Sequence, residues 1–434
     1  MKHCILYLLP NQLFSQEELS KANTKHVILW EHPEFFTKYR FNKKKLILHR
    51  SSMKKHYDYL TKNSFHVQYI EFNIQHDVSK TDNAIMFDPI NDIDDFKNTP
   101  KLESPNFLVT KDFNQRMYNN KKNKHSIRFT TYYFPRVKQE LKILENTAST
   151  DKENRKNISN VFPNYKRFPQ ISKRDEKYIV EATDYVERHF QSNYGVVTDF
   201  NYPIDNQGAK RWLKIFLETR LQYFGTYQDT IVEGENMLYH SGLSSSLNIG
   251  IIHPSYILKR IKKYESLVSI NNYEGYIRQL IWREYQRYCY LFLKEDLAKK
   301  NKFILNNRLD EKKEWYSGNT GVYPVDVAIK KAFDCAYLHH IERLMIIGNF
   351  MLLSQIRKED GFRWFMEFAI DSYEWVMYQN VYDMVFYSTG GATTHKAYIS
   401  SSKYVLKMSN YRKGNGKWTS AWDTKYHQFK EKFF

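Results

Sequence analysis

Short apolar runs bounded by polar turns recur through residues 1–130: His3–Leu9, His26–Trp30, His66–Glu71, Ala84–Phe87 and Asn106–Thr110. Between the second and third, Asn42–Asn63 sets Leu46, Met53, Tyr57 and Leu60 at helical spacing. Strand–helix–strand alternation demands a parallel sheet, because a crossover is needed to start the next strand in the same direction. Ligands of such sheets sit at the carboxyl ends of the strands, here Pro10–Leu13 and Glu31–Phe36. The opening MKHCILYLLPNQLF has no small-residue cleavage site and reads as a first strand, not a leader.

The texture changes at Tyr118. From there to Arg174 the chain is basic, polar and punctuated by proline, either a solvated linker or a strip that lines phosphates. After Asp175 helical periodicity dominates, most clearly in Ala209–Phe224, Tyr273–Lys294, Val325–Ile347 and Asp360–Tyr373. The expected class is an α/β amino-terminal parallel-sheet domain over 1–130, a basic interdomain connector over 131–175 and an all-α domain over 176–434.

Composition narrows the function. Sixty-six Lys and Arg against 48 Asp and Glu give +18, which favours a polyanionic partner, and 34 tyrosines with 8 tryptophans suit a protein that holds flat rings. No stretch approaches the ~20 apolar residues of a spanning helix. Three cysteines far apart, Cys4, Cys289 and Cys335, exclude a disulfide scaffold and argue for a reducing compartment. They also fall short of the four thiolates of an ordinary iron–sulfur cluster. GxGxxG, P-loop, HExxH, CxxC and GxSxG signatures are all missing.

Four clusters in the helical half remain. His240–Ser246 crowds hydroxyls and glycine before an apolar run, which reads either as helix capping or as a phosphate cradle. Gln279, Trp282 and Arg283 lie within one helical turn, either a base-stacking amide–indole pair or a core tryptophan with solvated neighbours. His340, Arg343 and Ile347 share a helix face, either a satisfied core pair or a proton donor beside an anion site. Residues 363–411 mix Asp371, Trp375, Asn380, Tyr398 and Tyr404, either electron relays or core.

In this order, FGTYQD, YHSGLSSSLNIG, IRQLIWREY, AYLHHIERLM, WFMEFAIDSYEWV and KAYISSSKYVLKMS resemble the photolyase/cryptochrome family, in particular its bacterial branch of iron–sulfur (6-4) photolyases. PNQLF with WEHPEFF resembles that branch's Rossmann-like antenna domain and TDKENRK its interdomain segment, so the likeness spans the chain. It implies a light-driven DNA-repair flavoprotein in which reduced FAD, held in the helical domain, donates an electron to a UV-induced pyrimidine lesion. Tyr227, His240, Ser241, Gly242, Leu243 and Ser244 would hold the FAD phosphates and ribityl chain. Arg343 and Asp371 would face the isoalloxazine, with Ser372, Tyr373 and Asn380 completing the site. Trp375, Tyr398 and Tyr404 would carry electrons to the flavin.

The resemblance also implies a lesion class. Cyclobutane-dimer photolyases carry Glu and Asn where this chain has Gln279 and His340, and the (6-4) reversal needs a proton donor that imidazole can supply. His340, Gln279 and Trp282 are therefore the expected catalytic set, with one donor, since Leu344 stands where animal-type enzymes place a second His. A 6,7-dimethyl-8-ribityllumazine antenna would use Gln12 and Glu34, with Phe35 or Phe36 packed on it. The run MSNYRKGNGKW has no cysteine where cluster-bearing relatives have them, so no iron–sulfur cluster and no other metal is expected. The implied partner is UV-damaged DNA, met by a cytoplasmic monomer with no membrane contact. The live alternatives are a cryptochrome-like photoreceptor and a cyclobutane-dimer photolyase.

Overall fold

The structure, a computed structural model, describes residues 4–124, 126–145, 147, 150–156, 164–309, 313–414 and 417–434. His3 of the first expected strand, 157–163 of the connector and 415–416 of the MSNYRKGNGKW run lie outside the described residues.

Five parallel strands form one sheet: β1 (Ile5–Leu8), β2 (His26–Trp30), β3 (His66–Ile70), β4 (Ala84–Phe87) and β5 (Lys101–Leu102), in the order β3-β2-β1-β4-β5. Ile5 pairs with His26 on one side and Ala84 on the other. The strand order reverses between β1 and β4, the usual crevice of such a sheet. Here the crevice is closed by its own side chains. The Gln12 amide donates to the Phe87 carbonyl at 2.7 Å and accepts from Leu9 N at 3.2 Å, while Asn11 donates to the Pro89 carbonyl at 3.1 Å.

Helix α1 (Lys43–Lys62) covers the sheet with Leu46, Ile47, Met53 and Leu60. Asn42 caps it, its side chain accepting from Lys44 N at 2.9 Å. The same turn reaches across to the helical layer. Asn42 donates to the Phe333 carbonyl at 3.0 Å, Lys44 to the Asp334 carbonyl at 2.6 Å, and Lys45 to the Ser372 carbonyl.

The fifth expected strand, Asn106–Thr110, is not one; β5 lies earlier and is only two residues long. Asn106–Thr110 runs beside a helix whose side chains satisfy its backbone. Arg283 donates to the Asn106 carbonyl at 2.7 Å, Arg287 to the Val109 carbonyl at 3.0 Å, and Glu284 accepts from Val109 N at 3.4 Å. Apolar alternation cannot distinguish a strand from a loop whose hydrogen bonds are made by side chains.

After α2 (Lys173–His189) the rest of the described chain is helical. The expected helix Ala209–Phe224 is α3 (Asn206–Ile215), a π-helical turn at Phe216–Arg220, then α4 (Leu221–Tyr227). Helix α5 (Ile270–Lys299) runs 30 residues, about 45 Å, through the layer. Gly225 lets α4 meet α5: a Cβ there would stand 2.2 Å from the Asn271 carbonyl oxygen.

The expected helix Val325–Ile347 is two. Helix α6 (Tyr323–Cys335) stops at Ala336, which adopts φ +56°, and the chain is helical again from His340, π-helical over Glu342–Gly348. The expected helix Asp360–Tyr373 ends early as α7 (Lys358–Phe368). Helix α8 (Trp418–Phe433) closes the chain, with the Trp418 and Trp422 indoles donating to the Arg412 and Ser400 carbonyls at 3.1 and 3.0 Å.

The connector is ordered where described. It contains a helix at Phe134–Leu141. Asn154 is fully buried and accepts from the Asn271 amide at 3.1 Å, and Lys156 N donates to the Thr226 carbonyl at 3.3 Å. Farther on, Phe168 stacks on Trp212 with ring centroids 4.1 Å apart, and the Arg220 guanidinium packs 3.8 Å from the Phe168 centroid.

Candidate functional site

The helical layer encloses a cavity of about 1300 Å³, larger than the roughly 300–1,000 Å³ of ordinary small-molecule sites. It is lined from α4, α5, the His240–Asn248 segment, the His340–Met345 turn and residues 376–400. His240, Ser241, Gly242, Leu243, Ser244, Arg343, Asp371, Asn380, Tyr398 and Tyr404 all reach it, as do His340, Gln279 and Trp282. Residues from His240 to Tyr404 thus meet in one space.

At its inner end Arg343 Nη1 stands 2.9 Å from Asp371 Oδ1, and Nη2 donates to Oδ2 at 3.2 Å. The break after α6 lets Arg343 Nε donate to the Leu338 carbonyl at 2.6 Å, and the turn after α7 carries Asp371. Asn248 fixes that turn, donating to the Asp371 carbonyl at 2.8 Å while accepting from Arg283 Nε at 3.0 Å. Gly242 curls the chain beside them at φ +61°, where a Cβ would strike Met237 and Trp212 at 2.7 Å. The helix that follows, Ser244–Asn248, is only five residues long, and Ser244, Leu247 and Asn248 line the cavity.

Nearer the mouth, His340 Nε2 lies 3.2 Å from Asp229 Oδ1. Gln279 donates to the Gln228 side-chain oxygen at 3.2 Å. Trp282 stacks on Phe129 with centroids 3.8 Å apart and planes 13° from parallel, a flat platform at the rim. Lys152, Arg155, Lys396 and Lys430 bring positive charge to the same rim.

Nitrogens of His240, His339 and His340 lie within 4.8 Å of one another. The His240 and His339 rings stack 17° from parallel at 4.8 Å, so their lone pairs do not converge on one ion. Burial presses both pKa values down, that of His240 to about 3, with the neighbouring His340 adding to the effect at His240 and His240 adding to it at His339. They are therefore neutral partners of His340.

Four expected site residues point elsewhere. Tyr227 packs with Tyr239, centroids 5.6 Å apart, in a satellite cluster around Val232 and Leu238. Ser372 donates to the Phe365 carbonyl at 2.8 Å, and the Tyr373 hydroxyl meets His49 Nε2 at 2.9 Å on the α1 side. Trp375 lies against Phe107, centroids 5.2 Å apart, with the Arg283 guanidinium 4.9 Å from its centroid. Each sits one or two positions from a lining residue, Tyr227 beside Gln228 at the end of α4 and the other three between Asp371 and Val376. In the antenna region, Gln12 spends its amide on the sheet crevice, and Glu34 pairs with Lys38 at 2.8 Å.

Asp229, Gln228, Asn248 and Arg155 escaped the sequence reading, although the quoted motifs FGTYQD, YHSGLSSSLNIG and TDKENRK contain them. Their roles depend on long-range proximity. A tryptophan was missed too: Trp364 is fully buried, its ring 4.8 Å from Phe368 and 5.4 Å from the cavity-lining Phe365, and its indole donates to the Trp315 carbonyl at 2.8 Å.

Among the described residues no helix is long and apolar enough to cross a membrane. The family described as "Deoxyribodipyrimidine photo-lyase-related protein" matches residues 6–92. The chain is 36% identical over 239 residues to a (6-4) photolyase of Agrobacterium fabrum (strain C58 / ATCC 33970), covering 54% of this chain and 47% of that protein. It therefore spans about half the length of that curated relative. In fold it is similar to Synechocystis sp. PCC6803 cryptochrome, with a TM-score of 0.63 and 15% identity over 99% of this chain and 89% of that one. It is likewise similar to an archaeal photolyase from Sulfolobus tokodaii, whose structure holds two FAD molecules, with a TM-score of 0.61 and 12% identity over 99% of each chain. With a parallel five-stranded sheet beside a helical layer that surrounds a large cavity, the chain has the fold of photolyases and cryptochromes, and over about half of its length it is similar in sequence to a (6-4) photolyase.

Proposed function

We propose that this chain is a light-driven DNA-repair flavoprotein acting on (6-4) photoproducts. The observation that carries the reading is that the Arg343–Asp371 pair and His340 open into the same cavity, one at its inner end and one toward its mouth. FAD, when bound, supplies the photoexcited electron. The residues of the cavity fit such a group: its volume takes a large flat molecule, and the Arg343 cation suits a ring that carries negative charge when reduced. His240–Ser244 and Asn380 would hold the rest of the molecule.

His340 would place a proton donor against the lesion, and Gln279 and Trp282 would hold and stack the flipped bases. Lys152 and Arg155 at the rim would take phosphates. In this reading 1–130 forms the antenna-like unit, 131–175 the connector and 176–434 the catalytic unit. A lumazine antenna at Gln12 and Glu34 would first have to displace the bonds those side chains already make, so the reading rests on FAD alone.

Illumination of reduced, FAD-loaded protein with oligonucleotides bearing each lesion tests it. Repair of the (6-4) product alone is the expected result. Repair of cyclobutane dimers alone would overturn the lesion assignment, and light-driven flavin reduction with no repair of either would favour a photoreceptor.

A further inference from the structure

Asp229 stands between an imidazole and a guanidinium of different origin. Its Oδ1 is 3.2 Å from His340 Nε2, and its Oδ2 is 3.9 Å from Arg155 Nε. The carboxylate is largely buried, its side chain 13% exposed, whereas the Arg155 side chain is 62% exposed and the His340 side chain 40%. Arg155 is carried there by the connector, whose neighbouring Asn154 is locked under α5 by Asn271. An exposed guanidinium at the rim of a cavity in a chain of net charge +18 is the group that a phosphate meets first.

We propose that Asp229 is the positioning residue of His340, and that a DNA phosphate, by drawing Arg155 away, leaves the carboxylate to the imidazole. The inference rests on the reading of His340 as the proton donor. One carboxylate shared by a guanidinium and an imidazole holds each less firmly than it would hold one. Removing the competing guanidinium stabilises the imidazolium, so DNA binding itself charges the donor. The remaining surroundings do not duplicate this effect. The His240 and His339 rings, 5.6 and 6.0 Å away, are neutral. Lys331 is paired with Glu342, and Arg343 with Asp371. The Tyr404 hydroxyl has its pKa raised by burial and by Asp229, and it stays neutral too.

The test is an NMR titration of ¹³C-histidine-labelled, FAD-loaded protein in the dark, with the His340 signal assigned by its loss in His340→Gln. An undamaged DNA duplex, which supplies phosphates without a lesion, should raise the His340 midpoint by about half a unit to one unit. Arg155→Gln should raise the midpoint of the free protein and abolish most of the further shift. Asp229→Asn should lower the midpoint and leave it unresponsive to duplex. A wild-type midpoint that ignores duplex, or an equal shift in Asp229→Asn, would overturn the proposal. If the titrations follow the expected pattern while illumination repairs no lesion, the coupling stands and the assignment of function fails.

Discussion

Arg343 and Asp371 meet through two oxygen–nitrogen contacts of 2.9 and 3.2 Å although one leaves a π-helical turn and the other the loop after α7. Losing a charge-assisted hydrogen bond costs about 1.5–3 kcal/mol. Asp371→Asn should therefore weaken FAD binding by roughly 10- to 100-fold. Flavin released per mole of protein at fixed free FAD measures this, and unchanged occupancy would remove the pair from the flavin site.

His340→Asn preserves size and some hydrogen bonding but removes the titratable proton. Flavin content and lesion affinity should persist, while the repair yield per photon on a (6-4) substrate falls by at least about 10²-fold, as for loss of a general acid. Gln279 remains, so efficient repair of cyclobutane dimers is not expected to appear. Wild-type yield in fully flavinated variant would eliminate the proposed role.

Electron relay is the point at which structure shifts the sequence expectation. Trp375 packs against the Arg283 guanidinium, whereas Trp364 packs against Phe365 at the cavity wall. Trp364→Phe should slow light-driven flavin reduction much more than Trp375→Phe, with repair by chemically reduced protein nearly intact in both. Transient absorption after a blue flash distinguishes them, and a larger loss in Trp375→Phe would restore the original choice.

Lys45 is fully buried, and burial lowers its pKa from 10.5 to about 7 against the pull of Asp371, Glu34 and Glu374. Between these values the unfolded chain binds more protons than the folded one, so this residue makes stability rise with pH across that window. Lys45→Met should flatten the rise in denaturant midpoint between pH 7 and 10, although it also leaves the Ser372 carbonyl without its donor. A slope unaltered by the substitution would mean that Lys45 keeps its proton throughout.

Phosphate contacts from the connector can be counted. Each neutralised phosphate contributes about −0.9 to the slope of log K against log salt. Replacing both Lys152 and Arg155 by Gln should reduce that slope by roughly 1.8, equally for damaged and undamaged duplex. A slope equal to that of the wild type would place the phosphate track elsewhere.

The sheet was readable because β1, β2 and β4 are largely apolar runs and β3 alternates polar with apolar residues between turn signals. The fifth failed because Asn106–Thr110 has the same texture but takes its hydrogen bonds from Arg283, Arg287 and Glu284, which lie far away in sequence. His340, Arg343 and Asp371, singled out from the motifs of the helical half, all line the same cavity. Helix periodicity overran Ala336 because nothing in an apolar heptad announces a left-handed residue. Ser372 and Tyr373 were misdirected for a related reason: in a turn, sequence adjacency to Asp371 says nothing about which side a side chain faces. Asp229 reaches His340 and Asn248 reaches Asp371 across more than 100 residues, and spacing rules do not extend that far.

The three side chains that leave the start of α1 for the carbonyls of Phe333, Asp334 and Ser372 make the sheet layer a supplier of end caps to helices it does not contain. Melting either layer breaks these bonds and takes the donors from those carbonyls. Calorimetry should then find one heat-absorption peak for both layers, with a calorimetric enthalpy equal to the van't Hoff value. For the flavin site this means that its thermal tolerance is set as much by Asn42, Lys44 and Lys45 as by any residue that lines the cavity.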